Sequence, residues 1–318
     1  MTTAGSRLVR DLRALASIPA PTGAEGPRLD WLEQRLRSAA GRRVRDEAGN
    51  LVWLLGEGRA TLGLLAHVDT VFGADVPHEP HECDGWLHGP GIGDNAAAVV
   101  VAVDVVERIA PELTRSLAVV FTVGEEGLGN LRGARHACAE LDPEAVIALE
   151  GHGIELVRVD AVGSSRARLT VTGPGGHSWW DRGRPSAIHE LLAALDTLLS
   201  GMEPDVAVNV GAISGGGAVN AIAARAEAIV EVRSLDEATL DMFEERIGGL
   251  SVTPPSQLAV EALGRRPAGR LDRAHPLLVA VRDVRRQLGL TDTLDFKPRP
   301  RWPLDPDAPP AVGAGVKA

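Results

Sequence analysis

Two periodicities alternate along the first half of this chain, and that alternation constrains its fold more than any other feature. The short apolar runs "LVWLLG" (51–56), "TLGLLAHVDTV" (61–71), "SLAVVFTV" (116–123) and "AVIALEG" (145–151) read as strands. Between them, "NAAAVVVAVDVVERIA" after Asp94 and "NLRGARHACAEL" carry apolar residues at helical spacing. Strands joined through helices require crossover connections, so the expectation is an α/β fold with a mostly parallel sheet sandwiched by helices. Two more helices, "RLVRDLRALASI" and "GPRLDWLEQRLRSA", precede the strands, with "PAPTGAEG" between them as a breaker. The Pro-, His- and Gly-rich stretch from Val76 to Gly93 reads as a loop.

From residue 166 the rhythm changes. "RARLTVTGP", "VAVNVGAIS", "RAEAIVEVRS" and "SQLAVEALG" read as strands, with helices at 185–200 and 236–249. Their order is βαββαβ, that of a small two-layer domain. The helix "HPLLVAVRDVRRQLG" then returns to the earlier type. The expected organisation is a larger domain in two parts, 1–162 and 267–318, interrupted by an inserted domain at 163–266, with an atypical tail from about residue 295.

Charge narrows the partners. A net charge of -10 offers no basic stripe for phosphate or an anionic membrane surface, so neither nucleic acid nor membrane is expected. The most apolar stretch, "AAAVVVAVDVV" (96–106), is interrupted by Asp104 and too short to span a bilayer. Cys83 and Cys138 lie far apart and give no disulfide framework, and the first residues lack a secretory apolar region. A cytoplasmic protein is expected.

Chemistry-bearing side chains gather where the strands of the larger domain end, the place where open α/β sheets bind ligands. "HVD" supplies His67 and Asp69, "GPGIGDN" supplies Asp94, "VGEEG" supplies Glu125 and Glu126, and "ALEG" supplies Glu150. The glycines before Asp94 do not follow a strand directly, and the acid beside them would repel a phosphate. Carboxylates converging on one pocket repel one another unless cations compensate them. A pair of divalent ions does so: imidazole nitrogen and carboxylate oxygen suit zinc, with cobalt or manganese as alternatives, and Asp94 can bridge two ions. Asp69, on the same side as His67 in a strand, then becomes the acceptor that orients the ring. Adjacent Glu125 and Glu126 point in different directions, so one can ligate while the other serves as a general base.

"HVDTV", "GPGIGDN", "GEEG" and "LEG" in this order, with "GGHSWWDRGRPSAIHE" in the inserted domain, resemble the two-zinc metallopeptidases and amidohydrolases. That family includes peptidase T, glutamate carboxypeptidase, acetylornithine deacetylase and succinyl-diaminopimelate desuccinylase. The resemblance covers roughly residues 5–290. It implies that His67 and Glu150 hold one metal, that Asp94 bridges, that Glu126 belongs to the second, and that Glu125 is the general base. It further implies a homodimer formed through the inserted domain, in which His177 reaches the partner's site and stabilises the oxyanion. Asn220 and Arg233 match substrate-contacting positions, and a cis peptide after Asp94 is expected. The implied reaction is hydrolysis of an amide bond in a short peptide or N-acyl amino acid.

The resemblance fails abruptly near Leu294, as a frameshift or truncation would make it. Where the family carries a glycine-rich loop with a ligating histidine, this chain runs "TLDFKPRPRWPLDPDAPPAVGAGVKA", and no histidine follows His275. That gap leaves a second reading, a catalytically impaired relative that keeps the fold as a dimeric scaffold or binding protein. His152, next to Glu150 in the motif, is a candidate replacement ligand. The cluster His78, His81, Cys83 and His88 matches no closed zinc spacing. His136, His189 and His275 fall in expected helices, and Ser178 lacks the setting of a serine nucleophile.

Overall fold

The structure, a computed structural model, describes residues 3–150, 157–203, 206–290, 294–295 and 316–317. His152 and the tail segment 296–315 lie outside the described residues. The chain divides into two compact units. One comprises Met1–Leu156, Val284–Thr291 and Pro300–Ala318; the other comprises Val157–Asp283 and Asp292–Arg299 and contains the whole stretch 163–266.

The first unit opens with α1 (Thr3–Ala16), α2 (Gly26–Arg35), β1 (Arg42–Arg45), β2 (Leu51–Leu55) and β3 (Leu62–His67). A hairpin of β4 (His81–Cys83) and β5 (Trp86–His88) follows, then α3 (Ala97–Ile109), β6 (Leu117–Thr122), α4 (Arg132–Leu141) and β7 (Ala145–Ala148). The main sheet has the order β1-β2-β6-β3-β7. β3 is parallel to β6 and β7, while β2 is antiparallel to β1 and β6, so β2 alone reverses direction. The sheet is thus mostly parallel, as expected.

Side-chain alternation sorts its two faces. Leu51, Trp53, Val119 and Phe121 pack in one cluster with Leu15, Leu29, Leu32, Val99 and Val103 of α1, α2 and α3. Val52, Leu65 and Val120 face the other way, against Ala137 of α4. All six residues of β6 are buried, which explains why "LAVVFT" is continuously apolar.

Two elements depart from the expectation. β1, "RRVR", is a half-exposed edge strand whose arginines hide it from an apolar count. The stretch 76–93 is not loop throughout: β4 and β5 pair antiparallel around Asp84 and Gly85, both at positive φ. The "DG" dipeptide between short strands is the hairpin signal that could have shown it.

The second unit contains β8 (Gly163–Thr172), α5 (Ala187–Ser200), β9 (Ala207–Gly215), β10 (Arg225–Ser234), α6 (Glu237–Gly248) and β11 (Gln257–Arg266), the expected βαββαβ order. Its sheet runs β9-β10-β8-β11, antiparallel throughout. α5 and α6 cover one face through a cluster that includes Leu169, Val171, Leu191, Leu195, Val230 and Phe243. The other face is charged: Glu231 accepts from Arg166 at 2.7 Å and from Arg233 at 2.9 Å. Then comes α7 (Pro276–Gln287). No helix among the described residues is long and apolar enough to cross a membrane.

Burial raises the Glu231 carboxyl pKa, but the hydrogen bonds from Arg233 and Arg166 outweigh it and hold it below the ordinary carboxylate value. A depressed carboxylate adds stability above the unfolded-state pKa, and this is lost as pH falls through the folded-state value. The stability difference between wild type and Glu231→Gln, followed by urea denaturation, is expected to be largest near neutrality and to shrink steadily in acid. A gap independent of pH would contradict this.

Candidate metal centre

β3 ends at His67, and the chain continues through Val68 to Asp69, both of these last two being fully shielded from solvent. Asp94 enters from a wide turn in which Ala96 N–H donates to Gly91 O at 3.0 Å. Gly91 has φ +68, and a Cβ there would stand 3.0 Å from Thr70 Oγ1, so this turn needs glycine. The Asp94–Asn95 peptide is cis, as the resemblance implies, and Asn95 donates to Leu149 O at 2.7 Å. Glu125 and Glu126 follow β6, and Glu150 lies two residues beyond β7.

These ends converge. His67 Nε2 is 2.8 Å from Asp94 Oδ1 and 3.6 Å from Glu150 Oε2. Donor atoms of His67, Asp94 and Glu126 all lie within 4.8 Å of one another, the one such His, Cys, Asp or Glu group among the described residues. His78 is instead buried against Gly73 O, at 3.0 Å, and His81 stacks on His88 in the β4–β5 hairpin.

Asp69 stands beside the His67 ring and has further partners. The near acceptor for His67 Nδ1 is the Asp69 main-chain oxygen at 3.1 Å, with Oδ1 at 3.5 Å. The carboxylate also accepts from three other groups: Glu125 N–H donates to Oδ1 at 3.1 Å, Glu126 N–H to Oδ2 at 2.9 Å, and Thr22 Oγ1–H to Oδ2 at 2.9 Å. Asp69 therefore holds the Glu125–Glu126 turn as well as standing beside the histidine.

Charge in this cluster is unbalanced. Burial opposes a charged His67, but hydrogen bonds to Asp69, Asp94 and Glu150 outweigh it and push its pKa up to about 12. Burial first, and then the charges of Asp94 and Glu125, push Glu126 up to about 7. A set of one imidazole nitrogen and several converging carboxylate oxygens fits a divalent cation, which would offset the repulsion that raises Glu126. Behind it, Arg28 is fully buried and donates to Ile18 O and Val68 O, both at 2.9 Å. Burial pushes its pKa down to about 10 against the field of Asp69.

The remaining expected residues lie in the second unit. Gly176–His177 pairs antiparallel with Ala221–Ile222, and Ser178 N–H donates to Asn220 O at 2.9 Å, so His177 and Asn220 lie together on one exposed two-stranded ladder. Arg233 is not with them: it lies on the charged sheet face, held by Glu231. Thr22, Glu25, Arg28 and Asn50 support the cluster yet carry no sequence signal of their own. "PAPTGAEG" reads simply as a helix breaker.

Residues 63–298 match the family described as peptidase family M20/M25/M40. An acetylornithine deacetylase of Proteus mirabilis is 30% identical over 261 residues, spanning 74% of this chain and 67% of that protein. A tripeptidase of Staphylococcus aureus superposes with a TM-score of 0.71 at 22% identity, over 92% of this chain and 84% of its own. A Bacillus subtilis protein described as a dinuclear metal binding peptidase superposes with a TM-score of 0.63 at 15% identity, over 94% and 84%. At these identities the two structures show a shared fold. A separate match of 35 residues is 80% identical to a tRNA N6-adenosine threonylcarbamoyltransferase of Rhodospirillum rubrum and spans 11% of this chain and 10% of that protein.

Asp69→Ala would strip the buried acceptor from two main-chain N–H groups and the Thr22 hydroxyl. In metal-free protein it is expected to cost more than about 2 kcal/mol of unfolding free energy in urea. A loss below about 0.5 kcal/mol would mean that water replaces the carboxylate freely.

Proposed function

This chain belongs to peptidase family M20/M25/M40, and from that premise we propose that it is a metal-dependent hydrolase of an amide bond in a short peptide or N-acyl amino acid. The observation that carries the proposal is the convergence of His67, Asp94 and Glu126 donor atoms within 4.8 Å, with Glu150 beside His67. His67 and Glu150 would hold one ion, Asp94 would bridge, and Glu126 would hold the second, with zinc the best match to the donor set. Bound there, the ions would polarise the scissile carbonyl and make water a better nucleophile.

The chain's own residues supply the rest. Asp69 anchors the turn through two N–H groups and stands beside His67, fixing the direction in which both can act. Glu125, on that turn, takes a proton from the attacking water and returns it to the leaving amine. We read the protein as a cytoplasmic homodimer in which His177, acting in trans, donates to the oxyanion, with Asn220 beside it on the same two-stranded ladder. Arg233 would grip a substrate carboxylate, in competition with its present partner Glu231.

Purified protein loaded with zinc is expected to hydrolyse N-acyl amino acids or dipeptides and to lose that activity to a chelator. Protein that binds no metal and turns nothing over is instead the non-catalytic relative. Glu125→Gln is expected to lower kcat by about a hundredfold or more while zinc content stays at the wild-type level. Unchanged kcat would remove Glu125 from the reaction.

A further inference from the structure

Four consecutive N–H groups leave the end of β6, and each is accepted by a side chain. Val123 donates to Asn50 Oδ1 at 3.0 Å and Gly124 to Glu25 Oε1 at 2.9 Å. Glu125 donates to Asp69 Oδ1 at 3.1 Å and Glu126 to Asp69 Oδ2 at 2.9 Å. The acceptors come from three separate segments, ahead of β2, ahead of α2 and beyond β3. Asn50 and Asp69 are wholly buried, and Glu25 is 4% exposed.

Strand ends in open sheets normally release such donors to water or to a following helix. Here they are captured by two carboxylates and an amide that water does not reach, so the turn cannot rotate without leaving a buried acceptor unpaired. Glu25 occupies a special place in this array. Its main-chain oxygen accepts from Arg28 and Leu29 at the start of α2. Its side chain turns away from that helix, and Oε1 accepts from both Gly23 N–H and Gly124 N–H at 2.9 Å. The same loop sends Thr22 to Asp69.

We propose that Glu25 is a positioning residue: by capturing Gly124 N–H beside the Asp69 carboxylate, it fixes the turn that aims Glu125 and Glu126. The inference rests on the functional reading above for what those two glutamates do. It differs from a purely structural role for Glu25, stitching α2 to the sheet, in what happens to the two residues Glu25 does not touch. With Glu25 gone, the amides of Glu125 and Glu126 keep their acceptor, yet the turn gains freedom.

The test compares full-length wild type with Glu25→Ala, Glu25→Asp and Glu25→Gln by residue-resolved amide exchange without metal, and by steady-state kinetics with saturating zinc. In Glu25→Ala, exchange at Glu125 and Glu126 is expected to quicken about tenfold or more while β3 amides keep their protection. kcat should fall about ten- to a hundredfold with KM within about threefold of wild type. Glu25→Gln, whose amide oxygen still accepts, should restore both. Should Glu25→Ala not fold, Glu25→Asp keeps the charge, loses the reach and is read by the same criteria. Faster exchange confined to Gly124, or an unchanged kcat, would overturn the proposal. Were the wild type to show no hydrolysis, the functional reading would fail by itself, and exchange at Glu125 and Glu126 would still decide the role of Glu25.

Discussion

Carboxylates crowded around one buried imidazole repel one another, and much of the first unit is arranged to tolerate that repulsion. Glu126 and Glu150 approach His67 from two strand ends and Asp94 from the turn before α3, while Asp69 stands beside its other ring nitrogen. The crowding shows in two upward pKa shifts: that of His67, through its carboxylate neighbours, and that of Glu126, through burial and the charges of Asp94 and Glu125. Arg28, buried beneath the strand end, adds a positive charge felt by Asp69.

The sheet topology makes the crowding possible. β6, β3 and β7 are parallel neighbours, so their carboxyl ends open on one edge and deliver Glu125, Glu126, His67, Asp69 and Glu150 to one place. Asp94 arrives from the turn before α3, whose apolar face is seated on that sheet. Side chains of Asn50, Glu25 and Asp69 then hold the turn after β6. Scaffold and chemistry are joined at that turn.

The sequence exposed the parts governed by periodicity and by residue type. β6 was legible because a strand covered on both faces must be continuously apolar, and β10 because one face of its sheet is apolar and the other charged. His67, Asp69, Asp94, Glu125, Glu126 and Glu150 stood out as polar groups at the ends of apolar runs. Asn50, Glu25 and Arg28 did not, because their importance lies in which main-chain atoms they meet across the fold, and an isolated polar residue in a loop carries no trace of that. β1 was hidden by its arginines. Arg166 was hidden as a partner of Glu231, since only the pairing of β8 with β10 brings it there, whereas Arg233 shares a face with Glu231 by strand alternation alone.

X-ray absorption at the zinc edge of the zinc-loaded protein tests the central claim most directly, because it reports the ligand atoms themselves. The account predicts a shell of nitrogen and oxygen alone at about 2.0–2.2 Å, with the multiple scattering of an imidazole that disappears in His67→Ala. A sulfur ligand at about 2.3 Å, which only Cys83, Cys138 or a methionine could supply, or an imidazole signal that survives His67→Ala, would contradict it.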